Sequence, residues 1–284
     1  MKTDHFQAQR FELKYRVSDS VAAQIRDFVG GYLEYDEYSR DCPGHAYLNH
    51  SLYLDSDDLR LYWDVVNGLK NRYKLRLRYY DDNPESPVFF EIKRRVNDAI
   101  LKQRCPVRRA AVKTLLCGQL PAPEDLCSAR SEAFAAIQEF CRLMADLNAA
   151  PKVHVSYRRE AWADRDRNSV RVTLDHELCC APRFTPELTT GIEGAVRPFA
   201  RQFILELKFT ARYPVWFREL VESFETTQSG CAKYAETIAL LGEEHFRSAG
   251  YDPEHQRSLA PYLDRKREPV ADTATRPAEF RHKS

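Results

Sequence analysis

Between Gln9 and Val17 apolar and charged residues alternate without a break. Phe11, Leu13, Tyr15 and Val17 fall on one face of a strand, and Arg10, Glu12, Lys14 and Arg16 on the other. The same period of two recurs near Leu48–Asp55, Arg72–Tyr80, Pro87–Val96, Ile100–Val107, Lys152–Trp162, Ser169–Asp175 and Gln202–Thr210, predicting strands at each. Helical spacing predicts helices over Asp19–Val29, behind an N-capping Ser18 and ahead of Gly30-Gly31, and over about Asp57–Val66. It recurs between Arg108 and Asn148, at Pro214–Phe224 and at about Gly230–Phe246. Beyond Tyr251 prolines and dense charge lose all period, which predicts a disordered tail. With no internal repeat, the expectation is one α+β domain over residues 1–250 and a tail over 251–284.

The polar faces of these strands are unusual. Outward faces of antiparallel sheets mix Thr, Ser, Gln, Lys and Glu. Here they gather Lys14, Lys74, Arg76, Arg78, Lys93, Arg95, Lys102, Arg104, Arg158, Arg171 and Lys208, with Glu12, Glu91, Asp175 and Glu206 interspersed. Lys74, Arg76 and Arg78 sit at alternate positions of one strand and repel unless an anion lies among them. A closed antiparallel barrel with these faces inward makes a cationic tunnel, leaves no free strand edge, and suits a chain of phosphates. His154 reads as a hydrogen-bonded filler and Asp175 as an arginine's partner. Tyr62-Trp63 and Trp216-Phe217 read as helix core.

Composition narrows the picture. The 284 residues carry 43 basic and 42 acidic side chains, a net charge of +1, so no global excess points to nucleic acid or membrane. The first residues are not patterned as a signal peptide and no run is apolar enough to span a bilayer, so a cytoplasmic location without direct membrane insertion is expected. The eight cysteines form no Cys-x-x-Cys pair and read as reduced thiols. Phosphate-binding glycine loops, a nucleophile elbow and a His-Glu-x-x-His motif are all missing.

Seven motifs then occur in order: Arg10-Phe11-Glu12-Leu13-Lys14-Tyr15, Ser51-Leu52-Tyr53-Leu54-Asp55, Lys74-Leu75-Arg76-Leu77-Arg78, Phe90-Glu91-Ile92-Lys93, Ser156-Tyr157-Arg158-Arg159, Leu205-Glu206-Leu207-Lys208-Phe209 and Cys231-Ala232-Lys233-Tyr234. Together they resemble the VTC (vacuolar transporter chaperone) polyphosphate polymerase domain of the triphosphate tunnel metalloenzyme superfamily, over about residues 6–245. The resemblance implies a closed antiparallel barrel decorated by helices, with ATP and polyphosphate as partners and Mn2+ or Mg2+ as cofactor. It implies a polymerase that moves the γ-phosphate of ATP onto a growing chain. By motif, Lys14, Arg76, Arg78, Lys93, Lys102, Arg158 or Arg159, and Arg171 grip the triphosphate, with Lys74 and Lys208 beside them and Lys233 near one tunnel mouth. Glu206 is the main metal ligand, and Glu12 either joins it or orients Lys14 or Arg76. The superfamily's opening Glu-x-Glu-x-Lys has Arg10 in its first position here, which disfavours a two-metal hydrolase. An inorganic or nucleoside triphosphatase and a non-catalytic polyphosphate-binding module remain alternatives. A nucleic-acid partner is not expected, and coupling to export requires a separate membrane protein.

Overall fold

Strands with one apolar face each need a covering layer, and the helices between them supply it. A computed structural model describes residues 10–247 apart from 98, 165–168, 211, 225 and 227. Among the described residues the strands are β1 (Arg10–Val17), β2 (Glu34–Tyr35), β3 (Tyr47–Asp55), β4 (Asn71–Tyr79), β5 (Val88–Val96), β6 (Ala99–Val107), β7 (Ala150–Ala163), β8 (Val170–Pro182) and β9 (Phe203–Thr210). The helices are α1 (Asp19–Gly30), α2 (Glu37–Arg40), α3 (Arg60–Val66), α4 (Val112–Leu116), α5 (Ser131–Asp146), α6 (Val215–Ser223) and α7 (Lys233–Leu241).

One antiparallel sheet runs in the order β1-β9-β8-β7-β3-β4-β5-β6, with β2 paired to β7. Its apolar faces pack outward in three cores. Leu75, Leu77, Phe90 and Ile92 meet Ile137, Phe140 and Met144 of α5. On the other side of the sheet order, Val172, Leu174, Leu205 and Leu207 lie with Ile25 and Val29 of α1 and Phe217 and Leu220 of α6. Val153 and Val155 lie with Leu59, Tyr62, Tyr234 and Ile238 around α3 and α7. Each such fully buried aliphatic or aromatic side chain contributes roughly 1.5–3 kcal/mol. The charged strand faces are thereby left to the inside of the curl.

The sheet bends until its edge strands β1 and β6 come within 8 Å between Cα atoms. No ladder joins them among the described residues, so hydrogen bonding does not close the sheet into the expected barrel. Three further expectations are revised. Within 108–148 the α-helical segments are α4 and α5, with single 3-10 turns at Arg109–Ala111 and Pro123–Asp125, because Pro121 and Pro123 interrupt the connection between them. The predicted helix start at Asp57 moves to Arg60, since Leu59 takes the left-handed conformation at φ 58°. Strand β8 runs on to Pro182: a bulge against β7 between Ser156 and Arg158 and a left-handed Glu177 at φ 52° break the alternation that sequence reading follows. Ser18 caps α1 as expected, accepting the Val21 amide at 3.3 Å. The tail over 251–284 lies outside the described residues.

At the end of β3, Asp55 ties sheet to helices. Its buried carboxylate accepts from the Leu61 and Tyr62 amides at the start of α3, at 2.8 and 2.9 Å, and from the Tyr234 hydroxyl of α7 at 2.6 Å. Burial outweighs these donors and raises its pKa to about 6.

Candidate functional site

Strand register arranges the inward charges in rows, since side chains directly opposite in a ladder are neighbours. One row runs Tyr53, Arg76, Glu91, Arg104 across β3 to β6. The Glu91 carboxylate is fully buried and takes Arg76 at 2.6 and 2.8 Å, Lys102 at 2.7 Å and Arg104 at 3.3 Å. In the next row Arg78 lies opposite Ser51 and donates to its hydroxyl at 3.2 Å and to the Tyr157 hydroxyl at 2.8 Å. On the other side of Glu91's row, Lys74, Lys93 and Lys102 stand opposite one another across β4, β5 and β6, three like charges in line.

The far wall answers with carboxylates. Lys14 faces Glu206, and Glu12 faces Lys208, across the β1–β9 ladder. Glu206 is held by Lys208 at 2.7 Å, Lys14 at 3.2 Å, Arg159 at 3.3 Å and Lys233 at 3.6 Å. Glu12 is held by Lys14 at 3.1 Å and takes Lys93 from across the lumen at 3.1 and 3.2 Å. Asp175 grips Arg159 in a two-point fork at 2.6 and 2.7 Å and takes Lys233 at 2.7 Å. The forks of Arg76 and Arg159 are thus fixed in direction by the acids behind them.

Two cavities follow from this arrangement. The inner one, of about 90 Å³, is lined by eight cationic side chains (Lys14, Lys74, Arg76, Arg78, Lys93, Arg159, Lys208 and Lys233) and one carboxylate, Glu206. The outer chamber, of about 1100 Å³, adds Glu12, Lys102, Arg104, Arg158 and Arg171 and an apolar rim that includes Leu48, Tyr80, Phe89 and Leu101. Arg76, Arg78, Lys93, Arg159 and Lys208 line both, forming a cationic waist between them.

Electrostatics record the crowding. Burial and the neighbouring Lys14 and Lys93 push the Lys74 ammonium well below its usual range, and no carboxylate is paired with it among the described residues. Burial lowers Lys208 to about 8 although Glu206 opposes. Lys14 moves the other way: despite burial, Glu206 and Glu12 hold its ammonium above the ordinary lysine value. Burial opposes the ionisation of Glu206, yet Lys14, Lys208 and Lys233 keep it well below the carboxylate range.

A family model described as the VTC domain matches residues 9–242. The chain belongs to the VTC domain family. A search of curated proteins finds no match. Among solved structures, a Bacillus halodurans protein provisionally described as an adenylate cyclase is similar at 16% identity and a TM-score of 0.46, over 78% of this chain and 92% of that one. The PH1819 protein of Pyrococcus horikoshii OT3 is similar at 14% identity and a TM-score of 0.40, over 82% and 99%.

In this VTC domain the residues that the resemblance assigned to phosphate or metal all line one of the two cavities, but not equally, whereas Arg95, Glu91 and Asp175 line neither. Lys14, Lys74, Arg76, Arg78, Lys93, Arg159, Lys208, Lys233 and Glu206 surround the inner one, while Glu12, Lys102, Arg158 and Arg171 face only the outer. Of the pair Arg158 and Arg159, Arg159 points to the waist. Arg158 is 40% exposed and pairs with Glu177 at 3.3 Å. Arg171 is tied to Asp36 at 2.6 Å. His154 is a filler as read, bonded to His50 at 3.2 Å and to the Tyr79 hydroxyl at 2.9 Å, and burial lowers it to about 3.

Sequence reading gave no role to Tyr157, whose ring lies under Lys233 at 4.6 Å, Arg159 at 5.3 Å and Arg78 at 5.9 Å. Asn49 was not singled out at all, and Ser51 and Tyr53 stood in one of the seven motifs without a role of their own. Their alternate spacing on β3 was the available signal, hidden because none of them is charged. All eight cysteines are free thiols. Among the described residues no helix is long and apolar enough to cross a membrane, and no group of three or more His, Cys, Asp or Glu side chains is placed to hold a metal.

Proposed function

We propose that this VTC domain is a polyphosphate polymerase that transfers the γ-phosphate of ATP to a growing chain. The observation that carries the reading is the waist, where cations outnumber carboxylates eight to one around the inner cavity. At about 90 Å³ that cavity is small beside the roughly 300–1,000 Å³ of pockets that take drug-sized molecules, and it suits phosphates in single file. Phosphoryl transfer asks the protein mainly for alignment and charge neutralisation. Arg76 and Arg159, fixed by Glu91 and Asp175, supply alignment, and Lys74, Lys93 and Lys208 supply charge. An acceptor chain ends in an oxygen that is already anionic, so no general base is needed, only screening of its approach to the γ-phosphorus.

Glu206 and Glu12 are the residues that would hold Mn2+ or Mg2+. They share the Lys14 ammonium, at 3.2 and 3.1 Å, and so already hold cationic charge between them. A single carboxylate or pair suits an ion that takes its other ligands from substrate phosphates. Four cations already surround Glu206, so the carboxylates would hold a metal ion only with the added negative charge of the phosphates beside them. Bound there, the metal would neutralise charge on the phosphate oxygens.

The saturation of Glu206 by cations favours one second reading, a polyphosphate-binding module without turnover. Incubation with γ-labelled ATP and Mn2+, with products resolved by size, separates the two. A ladder of labelled chains, lost in Arg76→Ala and Glu206→Ala, supports the polymerase. Free phosphate alone means a triphosphatase, and tight polyphosphate binding without turnover means the module.

A further inference from the structure

Asn49 is 1% exposed, lines the outer chamber, and its Nδ2 finds no hydrogen-bond partner among the described residues. Its neighbours on the same side of β3 are engaged: the Ser51 hydroxyl accepts from Arg78 and the Tyr53 hydroxyl from Arg76. A buried donor left without an acceptor destabilises a fold, and such a group persists where something outside the chain completes it. The ladder places Asn49 opposite Tyr157, whose hydroxyl holds Arg78, so the amide stands one step outward from the cationic waist.

The surroundings change character at this level. The Arg104 guanidinium lies over the Phe89 ring, 3.4 Å from its centroid, and donates to the Tyr80 hydroxyl at 3.2 Å, making an aromatic and guanidinium platform at the chamber rim. Platforms of this kind stack planar bases. The unpaired atom is a donor and calls for an acceptor; the acceptors of a phosphate chain are served by the charged groups of the waist, which leaves a neutral acceptor, such as a base nitrogen or a base or sugar oxygen, for the Asn49 amide. The outer chamber is also an order of magnitude larger than the inner cavity.

We propose that Asn49 is a specificity-determining residue that hydrogen-bonds the nucleoside of a nucleoside triphosphate whose phosphates lie against Arg76 and Arg78. The inference rests on the triphosphate reading above and adds the nucleoside subsite to it. Calorimetric titration of the full chain, in wild type and in Asn49→Leu and Asn49→Ala, with ATP and separately with inorganic tripolyphosphate, tests it. Both variants are expected to bind ATP about tenfold more weakly and tripolyphosphate unchanged. Asn49→Leu is expected to melt no lower than wild type, because it removes an unsatisfied buried donor, an outcome that a residue needed for folding would not give. Equal loss for both ligands, or no loss for ATP, would overturn the proposal while leaving the triphosphate site in place. Failure of wild type to bind either ligand would overturn the site reading itself, and the proposal with it.

Discussion

Polyphosphate binding should take up protons and weaken as the pH rises from about 6.5 to 8.5. In the empty site burial lowers Lys208 to about 8 against Glu206, and burial, opposed by Glu91 and helped by Arg76, lowers Lys102 to about 7. A bound phosphate oxygen favours the charged ammonium, so each group that is partly deprotonated when empty gains a proton on binding. Affinity is therefore fully present below the empty-state values and falls as the pH rises through them. At pH 8 Lys208 takes up about 0.5 proton; Lys102 adds less than about 0.9, because its side chain is 44% exposed and water screens it. Between pH 6.5 and 8.5 Lys208 alone lowers affinity about fourfold, Lys102 adds at most about 25-fold, and Lys74, whose ammonium burial and its neighbours also push well below the usual range, steepens the fall further. The assay is calorimetric titration with long-chain polyphosphate, whose internal phosphates stay ionised, in buffers of differing ionisation enthalpy. Lys208→Met should remove its share of the proton uptake. An affinity that stays flat or rises over this range, or no proton uptake at pH 8, would refute the desolvated-lysine account of the waist.

Three other outcomes are expected. Arg76→Ala removes a preorganised donor and should lower kcat/KM by the equivalent of about 2–4 kcal/mol, read from initial rates of chain synthesis. Asp175→Asn leaves Arg159 and Lys233 buried with Glu206 alone, at 3.3 and 3.6 Å, as their shared carboxylate and should destabilise by about 3 kcal/mol; added polyphosphate should restore part of the melting temperature by replacing the lost anion. Asp55→Ala strips the acceptor from the α3 amides and the Tyr234 hydroxyl and should lower stability by about 3 kcal/mol in urea unfolding without changing the charge of either cavity.

The strands were legible because each must bury one face, and a period of two is visible wherever both faces are uniform in character. Legibility failed where that condition failed. The bulge at Ser156–Arg158 and left-handed Glu177 cut the β8 reading short, and no periodicity announces a two-residue strand such as β2. The charged site residues were legible for the same reason as the strands: Lys74, Arg76 and Arg78 are anomalous at inward spacing whatever the fold. Asn49, Ser51, Tyr53 and Tyr157 share that spacing, but neutral polar residues on a strand face are ordinary, so alternation alone assigns them no role.

Sequence alone determined which side chains share a face, and hence that an unusual density of cations had to lie together and to call for an anion. Only the tertiary structure decided how the positive charge is balanced. Register across ladders assigned Glu91 to Arg76, Asp175 to Arg159 and Glu206 to Lys14, the curl of the sheet and the packing of α7 brought Arg159 and Lys233 to Glu206 as well, and Lys74, Lys93 and Lys102 were left in line. It also chose Arg159 over Arg158 for the waist and put the aromatic rim and Asn49 on one chamber. Pairing between strands distant in sequence depends on how the sheet curls and where it bulges, and a period of two within each strand carries no information about either.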